Sequence, residues 1–170
     1  MKIKISSLKD GIHEMDFTGS TEEIGLQDTY QGNYALHVVI DKSPHQMVLT
    51  ADLNAEAALT CDRCCEPYRF HPKVEFEMVY LQNYEDVNSE SEDIQYLSPE
   101  ADKIDISQEL IDYALLAIPL KKLCSEECKG LCPRCGTNLN TGTCACSSEH
   151  DDDPRWSALQ QLKNKVSDNP

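Results

Sequence analysis

Tyr34-Ala-Leu-His-Val-Val-Ile40 and, after Lys42-Ser-Pro-His45, Gln46-Met-Val-Leu-Thr-Ala-Asp-Leu53 alternate polar and apolar residues with a period of two. That period places every second side chain on one face of an extended chain, and the β-branched and aromatic residues in both runs suit a half-buried pleated surface. Ser43-Pro44 between them supplies turn chemistry, so the two runs read as neighbouring antiparallel strands.

Working outward, Lys2–Ile5, Glu56–Thr60 and Tyr68–Tyr80 repeat the alternation, while Gly, Thr, Asp and Asn between Thr18 and Asn33 read as a longer connection. The first half is thus an antiparallel sheet, or a small β-barrel if the sheet curls closed. Residues 84–105 shift to Glu85, Asp86, Glu90, Glu92, Asp93, Glu100 and Asp102 with few apolar residues, the composition of an acidic loop. Beyond it, Asp105-Ile-Ser-Gln108 opens a helix over about 106–118. Ile106, Leu110, Ala114 and Ile118 form its apolar stripe, Ile111 and Leu115 widen it, and Pro119 stops it. The expected class is α+β: a sheet or small barrel with a packed helix and a cysteine-rich zinc module. The expected organisation is a mainly β unit over 1–119, the module over 120–150, and a C-terminal helix over 151–170. In that last helix, Pro154 follows three aspartates and Trp156, Leu159, Leu162 and Val166 make an apolar stripe suited to packing.

Nine cysteines in 170 residues carry the strongest chemical signal. The first residues mix Lys with Ile before any secretory apolar stretch can form, and no window reaches membrane-spanning length, so a cytoplasmic location is expected. In a reducing compartment cysteines of this density read as metal ligands rather than disulfides. Cys132-Pro-Arg-Cys135-Gly136 looks like a zinc knuckle, and thiolates match the borderline-soft zinc ion, which takes four of them as a tetrahedron. Six clustered cysteines are two too many for one ion, and Cys61-Asp-Arg-Cys64 upstream has two to give. Two zinc ions follow: one on Cys61, Cys64, Cys124 and Cys128, the other on Cys132, Cys135, Cys144 and Cys146. His150 is close enough to replace one sulfur, and Cys65 is left over. An iron–sulfur cluster, disulfides or reduced thiols are the alternative states. His13, His37, His45 and His71 have no ligand spacing.

The balance of 30 acidic against 15 basic residues gives a net charge of −15, which disfavours nucleic-acid binding by the whole surface and draws basic partners. No phosphate loop, dinucleotide fingerprint or nucleophile with an acid–base partner is present, so no enzymatic activity is expected. A thiol redox protein using Cys61 and Cys64 is an alternative, but such pairs open a helix in a strand–helix–strand unit, unlike this one.

Cys61-Asp-Arg-Cys64, Leu116-Ala-Ile-Pro119, Cys128-Lys-Gly-Leu-Cys132-Pro-Arg-Cys135-Gly-Thr-Asn-Leu-Asn140 and Asp153-Pro-Arg155 together resemble the YceD family of large ribosomal RNA subunit accumulation proteins, from about Val38 onward. The resemblance implies a bacterial or organellar factor for accumulation or processing of large-subunit ribosomal RNA, with no established reaction. It also implies a neighbouring gene for a small basic ribosomal protein of the large subunit. Cys65 stands where the family usually has an apolar residue, so a packing role is expected there. Two modes of action follow. An acidic factor could hold a basic ribosomal protein or the precursor large subunit, or the zinc module could contact ribosomal RNA through Lys121, Lys122, Lys129 and Arg134.

Overall fold

The computed structural model describes residues 1–83 and 93–146. The chain is mostly β-sheet with one short helix: β1 (Lys2–Lys4), β2 (Gly11–Ser20), β3 (Tyr30–Lys42), β4 (Gln46–Thr60), β5 (Pro67–Phe70), β6 (Val74–Leu81), β7 (Ile94–Tyr96), β8 (Lys103–Asp105) and α1 (Ser107–Leu116). Strands β2-β3-β4-β6-β7 form a continuous sheet, with β5 paired to the far half of β4, and β1 pairs with β8 in a separate antiparallel ribbon. Among the described strands no pairing joins β2 to β7, so the sheet is open and the barrel alternative falls away.

The two runs read as Gln46–Leu53 and Glu56–Thr60 are one strand. Alternate residues Met47, Leu49, Ala51, Leu53, Ala55, Ala57 and Leu59 are all buried, because burial against the core overrides the weak strand preference of Asn54 and the alanines. The run read as Tyr68–Tyr80 divides instead into β5 and β6 around Pro72, which has no N–H for the ladder. β2 lies partly where a connection was expected over Thr18–Asn33. Its inward residues His13, Met15, Phe17 and Gly19 are only half-buried and include polar and small groups, so its alternation is faint in the sequence. β6 and β7 are parallel, a departure from the antiparallel expectation that their separation by the segment after Leu81 permits. β7 and β8 also occupy part of the loop expected over 84–105; residues 84–92 lie outside the described residues, as does the expected helix over 151–170.

α1 buries Leu110 and Ala114, with Ile106 just before it, in the same core as the sheet. Tyr30, itself buried, donates its hydroxyl to the Ala114 carbonyl at 2.5 Å, and the Tyr113 ring stacks on Phe76 with centroids 4.9 Å apart. Leu115 does not widen this apolar face: it is half exposed, and Leu116 and Leu120 are more so. Asp105, just before the helix, accepts the Ser107 N–H at 3.1 Å, the Ser107 hydroxyl and the terminal ammonium. Those donors, Ser107 first, hold its carboxyl down to about 2. The N-cap position itself falls on Ile106, which offers no side-chain cap, so the cap expected from Asp105 and Gln108 does not form. The helix stops at Leu116, three residues short of Pro119.

Candidate metal centres

Cys61 and Cys64 sit in the turn of the β4–β5 hairpin, closed by the Cys61 N–H donating to the Glu66 carbonyl at 2.9 Å. The chain leaving α1 comes back to this turn. Asp62 and Lys122 exchange hydrogen bonds, the Asp62 N–H to the Lys122 carbonyl at 2.8 Å and the Lys122 N–H to the Asp62 carboxylate at 2.7 Å. The Arg63 guanidinium donates to the carbonyls of Glu126 at 3.1 Å and Cys128 at 2.9 Å. Cys124 and Cys128 are thereby carried onto the hairpin turn, and the four sulfurs of Cys61, Cys64, Cys124 and Cys128 lie within 4.8 Å of one another. Cys61, Cys64 and Cys128 are buried and Cys124 is exposed.

Cys132, Cys135, Cys144 and Cys146 form a second such group, also within 4.8 Å of one another. Its knuckle repeats the first in detail. Cys132 N–H donates to the Thr137 carbonyl as Cys61 N–H does to Glu66, and Gly136 N–H donates to the Cys132 carbonyl as Cys65 N–H does to Cys61, all four at 2.9 Å. Backbone N–H groups act alike on the first sulfur of each knuckle: those of Cys124, Cys64 and Arg63 lower Cys61, and those of Cys135 and Arg134 lower Cys132. The recurrence of Cys-x-Arg-Cys in the sequence is the trace of this repeat.

Cys65 corrects the expectation of a packing role. It is exposed, and its φ of 58° puts it in the left-handed region, as does the 72° of Gly136 at the equivalent place. The turn requires that conformation so that its N–H can reach back to the first cysteine. Cys65→Gly is therefore expected to leave stability unchanged or raise it slightly, relief of roughly 1–2 kcal/mol of strain offsetting the added freedom of the unfolded chain. Cys65→Val should cost about 1–2 kcal/mol, since a β-branched residue fits this region worst. Gly130→Ala should cost at least as much, because its φ is 75° and the new Cβ would lie 3.0 Å from the Arg63 carbonyl oxygen. Denaturant titration of the three variants checks the order.

The two centres are also clasped together. Leu139 N–H donates to the Gly130 carbonyl at 2.9 Å, and Asn140 accepts the Lys129 N–H at 2.8 Å while its own amide donates to the Cys128 sulfur at 3.3 Å. Asn140 and Arg63 are thus parts of the first centre that sequence spacing did not single out. Their side chains act on atoms brought close only by the fold.

The donor chemistry fits a metal. Sulfur pairs Cys61–Cys128 and Cys64–Cys124 stand 3.8 and 3.7 Å apart. A tetrahedron with metal–sulfur bonds of ~2.3 Å has edges of about 3.8 Å, whereas a disulfide needs ~2.05 Å. All nine cysteines are free. Protons are shared unequally within each group. A backbone N–H from Cys124 pulls Cys61 down to about 6 against its burial, while burial and the neighbouring sulfurs push Cys124 up to about 12. In the second group the Thr137 hydroxyl lowers Cys135 to about 6, and the Cys135 sulfur and burial raise Cys146 to about 12. Crowded thiols that cannot all ionise alone are relieved when a cation takes the place of the protons.

Among the residues considered for RNA contact, Lys121, Lys129 and Arg134 are exposed and Lys122 is half-buried, with exposed Glu126 and Glu127 among them. His37 pairs with Asp16 at 2.7 Å and His71 approaches Glu56 at 3.5 Å, away from any cysteine group. His150 lies outside the described residues. Among the described residues no helix is long and apolar enough to cross a membrane.

A family model described as large ribosomal RNA subunit accumulation protein YceD matches residues 49–163. An uncharacterised protein of Mycobacterium tuberculosis is 27% identical over 136 residues, covering 78% of this chain and 63% of that protein. A chloroplastic large ribosomal RNA subunit accumulation protein YCED homolog 1 of Arabidopsis thaliana is 36% identical over 77 residues, 44% of this chain and 24% of that protein. Its Zea mays counterpart is 52% identical over 50 residues, 28% and 17% of the two chains. The aligned part of this chain therefore spans less than two thirds of these relatives' own lengths. No solved structure gives a significant match.

Proposed function

This chain belongs to the YceD family, and from that premise we propose that it is a non-catalytic zinc-binding factor supporting accumulation or processing of large-subunit ribosomal RNA. Two zinc ions are held, one by Cys61, Cys64, Cys124 and Cys128 and one by Cys132, Cys135, Cys144 and Cys146. The observation that carries this reading is the gathering of four thiols from two distant parts of the chain within 4.8 Å of one another, with two of their sulfur pairs at 3.8 and 3.7 Å. Four thiolates close the coordination sphere and leave no position for a reacting water, which supports a structural rather than hydrolytic role. The protein acts in the cytoplasm by holding a basic ribosomal protein, alone or on the precursor large subunit. The net charge of −15 supports that choice of partner, since such a surface attracts cations and repels phosphate at long range.

Affinity capture of the tagged chain from cells is expected to recover large-subunit proteins or precursor particles, and to lose them as salt is raised. Recovery of neither would overturn the partner reading. So would tight binding of a large-subunit RNA fragment that is abolished by replacing Lys129 and Arg134.

A further inference from the structure

β2 is an edge strand of the sheet. It runs for ten residues, Gly11–Ser20, in unbroken antiparallel register with β3, and among the described residues nothing pairs with its other side. An unpaired row of N–H and C=O groups invites another strand, and proteins blunt such edges with charged side chains, proline, bulges or shortness. The charges of β2, Glu14 and Asp16, deter an acidic or like strand but not a basic one. β2 contains no lysine, arginine or proline and its register carries no bulge. The opposite end of the sheet is finished by β7, which is only three residues long.

The side chains along β2 specify what fits beside it. Glu14, Asp16 and Thr18 are exposed on one face, Asp16 with one carboxylate oxygen paired to His37 at 2.7 Å, and Ile12 lies beyond them at 69% exposure. Met15 and Phe17 on the other face are packed against the core but only partly covered. A second copy fits poorly: antiparallel pairing of β2 with itself about Met15 would set Glu14 against Asp16, like charges directly opposite, between two chains each carrying −15.

We propose that β2 is a docking edge for an extended basic segment, which adds to the sheet as a further strand with Lys or Arg at alternate positions against Glu14 and Asp16 and apolar residues between them against Met15 and Phe17. This rests on the basic-partner reading above and gives it a place on the molecule. Main-chain hydrogen bonds supply a general affinity for extended chain, and the alternation of acidic and apolar side chains selects its sequence. A basic strand also removes the repulsion that a copy of the same chain would meet.

The test uses the full chain with a fluorescent peptide of alternating lysine and valine, matched in length to β2. The same peptide N-methylated at alternate residues keeps its charge and loses the donors that strand pairing needs. The parent peptide is expected to bind and to slow amide exchange over Gly11–Ser20. Binding should weaken about tenfold or more for the N-methylated peptide, and as much for the double variant Glu14→Lys, Asp16→Lys, whose circular dichroism reports an intact fold. Equal binding by the N-methylated peptide overturns strand addition while leaving a charge-held basic partner in place. Protection at residues outside β2 overturns the location. A dimer formed through β2 without peptide identifies a second copy as the occupant and overturns the proposal. Failure to capture any large-subunit material overturns the underlying reading independently of every peptide result.

Discussion

Replacing Cys128 by serine is expected to lower the zinc content from two ions per chain to one and to release the segment from Lys121 to Leu131 from the β4–β5 turn. The magnitude comes from what the first centre joins. It closes a separation of 60 residues between Cys64 and Cys124 (124 − 64), linking the hairpin turn to the chain beyond α1. Structural zinc sites in peptides are worth roughly 10–16 kcal/mol, comparable with the whole stability of a domain at about 5–15 kcal/mol. Loss of a buried ligand should therefore lower the melting temperature sharply, and native mass measurement should count the missing ion. Cys135→Ser makes the contrast, because the second centre gathers only residues 132–146. It should also cost one ion and loosen the Leu139 and Asn140 clasp on the first centre, yet lower the melting of the sheet less than Cys128→Ser does. Retention of both ions by Cys128→Ser, with unaltered melting, would remove the first centre from the account.

Leu110→Ala should destabilise the chain by about 2–5 kcal/mol, the range for emptying a fully buried leucine site. Leu110 is 0% exposed and belongs to the core shared by the sheet and α1, where Tyr30 also ties its hydroxyl to the Ala114 carbonyl. Leu116→Ala, at a position 77% exposed, should change stability by no more than about 0.5 kcal/mol. Urea titration of the two variants at constant zinc separates the cases. A loss below about 1 kcal/mol for Leu110→Ala would mean that α1 only rests on the sheet.

Legibility differed element by element for physical reasons. β3 from Tyr34 onward and the two halves of β4 are legible because their inward residues are almost all apolar and fully buried, whereas Tyr30–Asn33 read as connection and the join of β4 across Asn54-Ala55 does not show. β2 did not, since an edge strand covers its inner face only partly and tolerates His13 and Gly19 there. The division at Pro72 was missed because residues on both sides keep the same alternation. Leu115 was misplaced because helical spacing gives a stripe but not its width, which depends on how the sheet meets α1. In the cysteine groups, the donor atoms were evident from residue type, while the left-handed conformation of Cys65 was hidden. Only its alignment with Gly136 across the two Cys-x-Arg-Cys knuckles would have disclosed it.

Taken alone, the sequence determined the local periodicities, the acidity and the thiol donors, because each depends on side chains a few residues apart or on composition. Tertiary structure decided which strands became neighbours, which edge stayed open, and how Arg63 and Asn140 came to brace the first cysteine group. Those outcomes arise from contacts between residues far apart in the chain, selected by joint burial and hydrogen-bond satisfaction that no local pattern encodes.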